Sequence, residues 1–191
     1  MEASPAPFQS KNGEEKSVAP SLAAAFAVQG ATLIESVPVA FDGIRQEKFA
    51  GFSAGTIRAL ENLAESSAKY ISSPIITDSF SDHEERRAWR TTMRNEHGDE
   101  AHKLLESNRL RLNAMSSLLF RASTLKGALE KETDSLYLPA LKAEVLGIIG
   151  AFGQSPQMFN QEYGAMDSEQ KLAVAQDLSK RLQAFLFIVT V

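Results

Sequence analysis

Between Asp99 and Glu132 the core-forming positions repeat at alternating steps of four and three. Ala101, Leu105, Asn108, Leu112, Met115, Leu119, Ala122 and Leu129 fall on this register, with Lys126 in its single charged slot. That spacing keeps one side of an α-helix against a partner, as in a coiled-coil seam. At about 1.5 Å per residue the helix is roughly 50 Å long. An isolated helix owes little of its stability to propensity, so the stripe predicts a fold built to cover it.

A second seam of Phe49, Phe52, Thr56, Ala59, Leu63, Ser66 and Tyr70 predicts a long helix over Ile44–Ile71. Pro38 and Gly43 break the chain before it, and Asp42 is its candidate N-cap. Gly51 and Gly55 lie four apart and would share a face of this helix, thinning it for close packing. Pro74 ends the pattern. Ser81 with Glu84 reads as a capping box opening a short charged helix through Arg94. Gly98 suits the end of that helix, and Asp99 suits the start of the next.

Further helices are predicted over Leu136–Ala151, with Pro139 in the first turn, and from Ser155-Pro156 to near Gly164. Asp167 and Gln170 form a capping pair for a last helix beginning at Ser168, lined by Leu172, Ala175, Leu178, Leu182, Phe185 and Val189. Upstream, Pro20 precedes an alanine-rich helix over Ser21–Ser36. The only strand-like signal is Phe185–Val191, an apolar, β-branched run that fits either a helix end or a short strand. The expected fold is therefore all-α: a helical bundle with two long antiparallel helices, Ile44–Ile71 and Asp99–Glu132, completed by shorter packing helices. Residues 18–191 form one domain behind a disordered tail of residues 1–17, which is polar and poor in core-forming side chains.

Composition narrows the function classes. The chain has 191 residues and 43% hydrophobic residues, enough for one ordinary core. A net charge of −4 with interleaved acids and bases argues against nucleic acid as a partner. The absence of cysteine removes disulfides, thiolate metal sites and cysteine nucleophiles. No basic segment leads into an apolar run near Met1, so the expected location is the cytoplasm, or outside the cell without a conventional signal peptide. Val18–Ile34 is uncharged but mostly alanine, which favours a buried helix over a membrane span.

Three polar clusters invite chemistry. Glu96, His97, Asp99, Glu100 and His102 carry oxygen and imidazole ligands, but the two histidines are five apart with Gly98 between them. A solvated helix end capped by Gly98 and a helix start capped by Asp99 explain them better, and no metal is assigned. Arg86, Arg87, Arg90 and Arg94 lie near one side of the charged helix beside Trp89. Such a set can bind phosphate groups or single-stranded nucleic acid, yet Asp82, Glu84 and Glu85 stand one turn away as intrahelical partners, and Trp89 suits an anchor. Asn108 either fixes helix register within the seam or meets water at its rim. No phosphate loop, nucleophile elbow or isolated acid pair is present, so no catalytic residue, cofactor or small-molecule substrate is inferred.

The expected function is a non-catalytic interaction or assembly protein acting through helix faces. Phe185, Phe187, Ile188 and Val189 are its expected interface with a protein partner or a second copy, because a helix there turns apolar side chains in at least two directions. One alternative is a membrane-active or translocated protein using Val18–Ile34 and Leu146–Phe152. In layout the chain resembles bacterial proteins exported unfolded and small proteins of phage particles, without a shared motif. The other is a metal-dependent enzyme centred near His97 and His102.

Overall fold

The computed structural model describes residues 21–28, 30–133 and 135–191. The expected tail, Met1–Ser17, and the first residues of Val18–Ile34 lie outside them. The described chain is a helical bundle with one small sheet. Its helices are α1 (Leu22–Val28), α2 (Ala54–Ser72), α3 (His83–Leu129), α4 (Leu138–Gly150), α5 (Phe159–Ala165) and α6 (Ser168–Thr190). Two strands, β1 (Ala31–Ile34) and β2 (Ile75–Asp78), pair antiparallel with Ala31 opposite Asp78 and Ile34 opposite Ile75.

The strands correct the expectation of one helix over Ser21–Ser36. Gly30 adopts φ 74°, a conformation that lets the chain leave α1 and enter β1 at once. The Ser79 backbone N–H and hydroxyl both donate to the Gly30 carbonyl, at 2.7 and 2.9 Å, which closes one end of the pair.

The helix expected over Ile44–Ile71 is also shorter. A 3₁₀ turn spans Gln46–Phe49, Gly51 lies in the turn that follows, and α2 begins only at Ala54. Asp42 is not the cap. Ser53 is: its hydroxyl accepts from the Thr56 N–H at 3.3 Å. Glu132 then accepts from the Ser53 N–H at 3.0 Å and the Thr56 hydroxyl at 2.6 Å, and these bonds hold its carboxyl below the usual carboxylate range. An anion at this end of α2 also suits the helix dipole.

Helix α3 bends at Gly98, whose φ of 58° and ψ of −136° glycine enters at little steric cost. The break separates the charged segment from the seam segment. Contacts between α2 and α3 run in reverse chain order: Thr56 meets Glu132, Ser66 meets Arg121, and Ser73 meets Arg111.

Two apolar clusters result. The larger gathers α2, the later part of α3, α4 and α6 around Leu63, Leu118, Leu141, Ile148, Leu182 and Phe185. The smaller joins α1, the sheet and the earlier part of α3 through Phe26, Ile76, Trp89, Met93, Ala101 and Leu105. Trp89 is indeed an anchor, with Phe26 edge-on and Phe80 tilted against it, each 5.1 Å between centroids.

The α3 seam keeps its expected positions at Ala101, Leu105, Asn108, Met115, Ala122 and Leu129 and shifts back by one residue at the other three. The buried set is Ala101, Leu105, Asn108, Arg111, Met115, Leu118, Ala122, Leu125 and Leu129. Leu112 and Leu119 are only partly buried, and Leu125 rather than Lys126 completes the stripe. In α2, Ser67 replaces Ser66 for the same reason, and in α6 Lys171 replaces Leu172. The C-terminal run is helix, not strand.

The corrected register makes a stability prediction. Leu118→Ala should cost on the order of 2–5 kcal/mol, the range for emptying a buried leucine site. Leu119→Ala should cost clearly less in the same urea denaturation series. Equal losses at both positions would show that the seam turns the other way.

Candidate functional site: a cationic pocket at the sheet edge

The last residue of β2 is an acid. The strand is half-buried at Ile75 and buried from Ile76 to Asp78, so the Asp78 carboxylate enters a protein interior and requires compensation. Three cations supply it from two helices. The Arg86 Nη2 lies 3.0 Å from Asp78 Oδ1, and the Arg90 Nη2 lies 3.9 Å from Oδ2. Lys171 Nζ sits 3.5 Å from Oδ1 and donates to the Asp78 backbone carbonyl at 3.2 Å.

Each cation is placed by local structure. Asp82 caps α3, accepting from the Glu85 N–H at 2.7 Å. This start is one residue later than the expected Ser81 cap. Arg86 and Arg90 follow one turn apart on the same face. In α6, Asp167 and Gln170 form the expected capping box. That start sets Lys171 on the same stripe as Ala175, Leu178, Leu182, Phe185 and Val189, which faces the core. Lys171 is 7% exposed and has no route to bulk water comparable to that of a surface lysine.

The four charged groups line a cavity of about 490 Å³ that also meets Asn113 and Ser116 of α3 and Asn160 and Tyr163 of α5. That size falls in the range of about 300–1,000 Å³ typical of ligand sites. Asp78 is the single carboxylate among the described lining residues, so three positive groups leave two charges uncompensated. The Nε atoms of Arg86 and Arg90 are buried with no hydrogen-bond partner among the described residues. Burial pushes the Arg90 guanidinium down, Asp78 opposes this, and Arg86 and Arg94 add to it as like charges. Burial first, then the nearby Tyr70 and Asp78, push the Tyr163 phenol up, with Arg111 opposing, so it stays a hydroxyl that can donate. Cations, amides and hydroxyl donors converge on the cavity. What they can do chemically is hold an anion.

Of the expected arginine set, the structure brings Arg86 and Arg90 to this site, but their acid is Asp78 rather than the intrahelical Asp82, Glu84 or Glu85. Asp78, Lys171 and Tyr163 were not among the sequence candidates. The legible signals were an acid closing the apolar run Ile75–Thr77 and a lysine on a buried helical stripe.

The other candidates stay apart. His97 is half-buried and His102 exposed, on opposite sides of the Gly98 bend. Among the described residues no group of three or more His, Asp or Glu comes together to hold a metal. Within Val18–Ile34, Phe26 is fully buried, as is Phe152 in the second segment considered for lipid contact. No helix among the described residues is long and apolar enough to cross a membrane. At the end of α6, Phe185 and Val189 are fully buried in the chain's own core, Ile188 is partly buried, and Phe187 is 66% exposed.

Asp78→Asn should destabilise the fold, toward the lower end of the roughly 3–5 kcal/mol seen when one partner of a buried pair is removed. The lower end applies because Arg86 and Arg90 keep some access to water. Lys171→Met should cost less, since it removes one of three like charges. Urea denaturation of both variants checks the order, and a larger loss for Lys171→Met would mean that Asp78 is not the hub.

No protein-family model, curated protein or solved structure matches the chain.

Proposed function

We propose that the chain is a non-catalytic binding protein that holds an oxyanion, of the phosphate, sulfate or carboxylate kind, in the pocket beside Asp78. One observation carries this reading: three cations meet a single carboxylate at the wall of a cavity large enough for a ligand. An anion there would take up the two uncompensated charges and the remaining guanidinium donors. The positive end of the α6 dipole, near Lys171, adds to the attraction. A binding role fits better than catalysis. The one carboxylate is engaged by cations, and the phenol beside it stays protonated, so neither is poised as a base or nucleophile.

Inorganic phosphate or sulfate should raise the melting temperature in a saturable way. At a hundred times the dissociation constant the stabilisation should be about 2.7 kcal/mol. Lys171→Met and Arg90→Gln should weaken it. No saturable effect beyond that of chloride at matched ionic strength would sink the proposal.

Assembly through α6 is a second reading, favoured by Phe187. The end of this helix is fixed in place: the Arg45 N–H donates to the Val189 carbonyl at 2.8 Å, and Lys48 Nζ to the Ile188 carbonyl at 2.9 Å. With Phe185 and Val189 inside, the expected interface narrows to Phe187 and the edge of Ile188. Phe187→Asp should then lower the apparent mass of the protein in light scattering while its circular dichroism stays helical. A wild-type monomer that binds no protein partner would exclude this contact.

A further inference from the structure

Arg86 and Arg90 line two cavities. The inner one is the pocket with Asp78 and Lys171. The outer one is a groove of about 300 Å³ along the first turns of α3, lined by His83, Arg86, Arg87, Arg90, Thr91 and Arg94. His83, Arg87, Arg90 and Arg94 follow steps of four, three and four, so they form one stripe on the helix.

No carboxylate lines this groove. Arg87 and Arg94 make no ion pair within 4.0 Å among the described residues, whereas the pairs of Arg86 and Arg90 all go inward to Asp78. Of the acids at the start of α3, Asp82 caps the helix, Glu85 accepts from the Ser81 hydroxyl at 3.2 Å, and neither they nor Glu84 pair with the stripe within 4.0 Å among the described residues. The inner pocket and the groove are thus both electropositive, and they share two guanidiniums. Each guanidinium has five donors in a planar fork. The Arg90 contact to Asp78, at 3.9 Å, is beyond hydrogen-bond reach, which leaves its fork open to a ligand.

We propose that pocket and groove form one composite site for a compact ligand bearing two adjacent phosphate groups, a diphosphate. One phosphate sits in the pocket against Lys171, Arg86 and Arg90. Its neighbour sits in the groove against Arg90, Arg87 and Arg94. This rests on the anion-binding reading above and specifies the class of ligand. A strand of nucleic acid fits less well. Lys171, almost wholly buried, favours a terminal group over a phosphate inside a continuous backbone. The groove has no Phe, Tyr or Trp on which a base could stack, because Trp89 faces the core.

The test is calorimetric titration of the full chain with inorganic phosphate, pyrophosphate and a single-stranded oligothymidine, all at one ionic strength. Pyrophosphate should bind at least tenfold more tightly than phosphate. In the double variant Arg87→Ala with Arg94→Ala, both at exposed positions and with folding checked by circular dichroism, that advantage should vanish while phosphate still binds. If pyrophosphate binds no better than phosphate, or keeps its advantage in the double variant, the composite site is wrong and the inner pocket stands alone. Tighter binding of the oligothymidine than of pyrophosphate would overturn it in favour of an extended polyanion. If neither phosphate nor pyrophosphate binds, the anion-binding reading itself falls.

Discussion

The fold depends on burying one side of α3. Among the described elements this helix alone contributes to both apolar clusters: Trp89, Met93, Ala101 and Leu105 serve the smaller one, and Met115 to Leu129 serve the larger. The other elements are placed by what the stripe demands. Helices α2 and α4 cover its later part, α6 completes that bundle, and α1 with the sheet covers its earlier part. The bend at Gly98 lets one continuous run of backbone reach both.

Between the two clusters the stripe turns polar. Asn108 and Arg111 are 3% and 4% exposed, and each makes a hydrogen bond to the backbone of a neighbouring element. Asn108 Oδ1 accepts from the Ile76 N–H of β2 at 3.4 Å, a long bond to the backbone of that strand. Arg111 donates to the Ser73 carbonyl where α2 ends, and its guanidinium lies 4.0 Å from the Tyr70 ring centroid. A cation over an aromatic face is stabilised more when desolvated. Burial raises the Tyr70 phenol and the Arg111 charge pulls it back. Asn108 therefore does not meet water. It joins a strand to a helix, and the candidate pocket opens beside this polar band.

The history of these residues explains what was legible in the sequence. Helices α4 and α6 and the Asp167 cap follow from local signals: a proline in a first turn, a capping pair, a four-three repeat. The seam of α3 was legible except at three positions, where the preceding residue is the buried one. Both Arg111 and Leu112 continue the repeat, and hydrophobicity alone selects Leu112. The buried arginine shares the Ser73 carbonyl with the Ser36 hydroxyl and lies over the Tyr70 ring, contacts that leucine could not make. The strands were not legible: four residues each, separated by about forty in sequence, they fall below the window in which periodicity is measured. The candidate site is harder still, because β2, α3, α5 and α6 contribute to it and no spacing connects them. Arg86 and Arg90 were visible as a basic pair, while Asp78 and Lys171 announced themselves only as charges in apolar registers.

Those misplaced charges carry the functional argument. A buried ion group gains little stability over well-packed apolar residues of the same size, since desolvation offsets much of the Coulomb attraction. Asp78 with a single cation would already satisfy itself. Two further cations gathered on the same carboxylate repel one another: burial pushes the Arg90 guanidinium down most, Asp78 opposes it, and the like charge of Arg86 adds to the push. The arrangement is therefore a poor solution for stability alone and a good one for an anion entering from the cavity. Such a ligand would meet donors already held in position by β2 and by the capped starts of α3 and α6, so little ordering of the protein would oppose its binding. The polar band at Asn108 and Arg111 keeps that frame in register. The same stripe that builds the core thus fixes the distance between the sheet edge and the two helices that bring the cations to it.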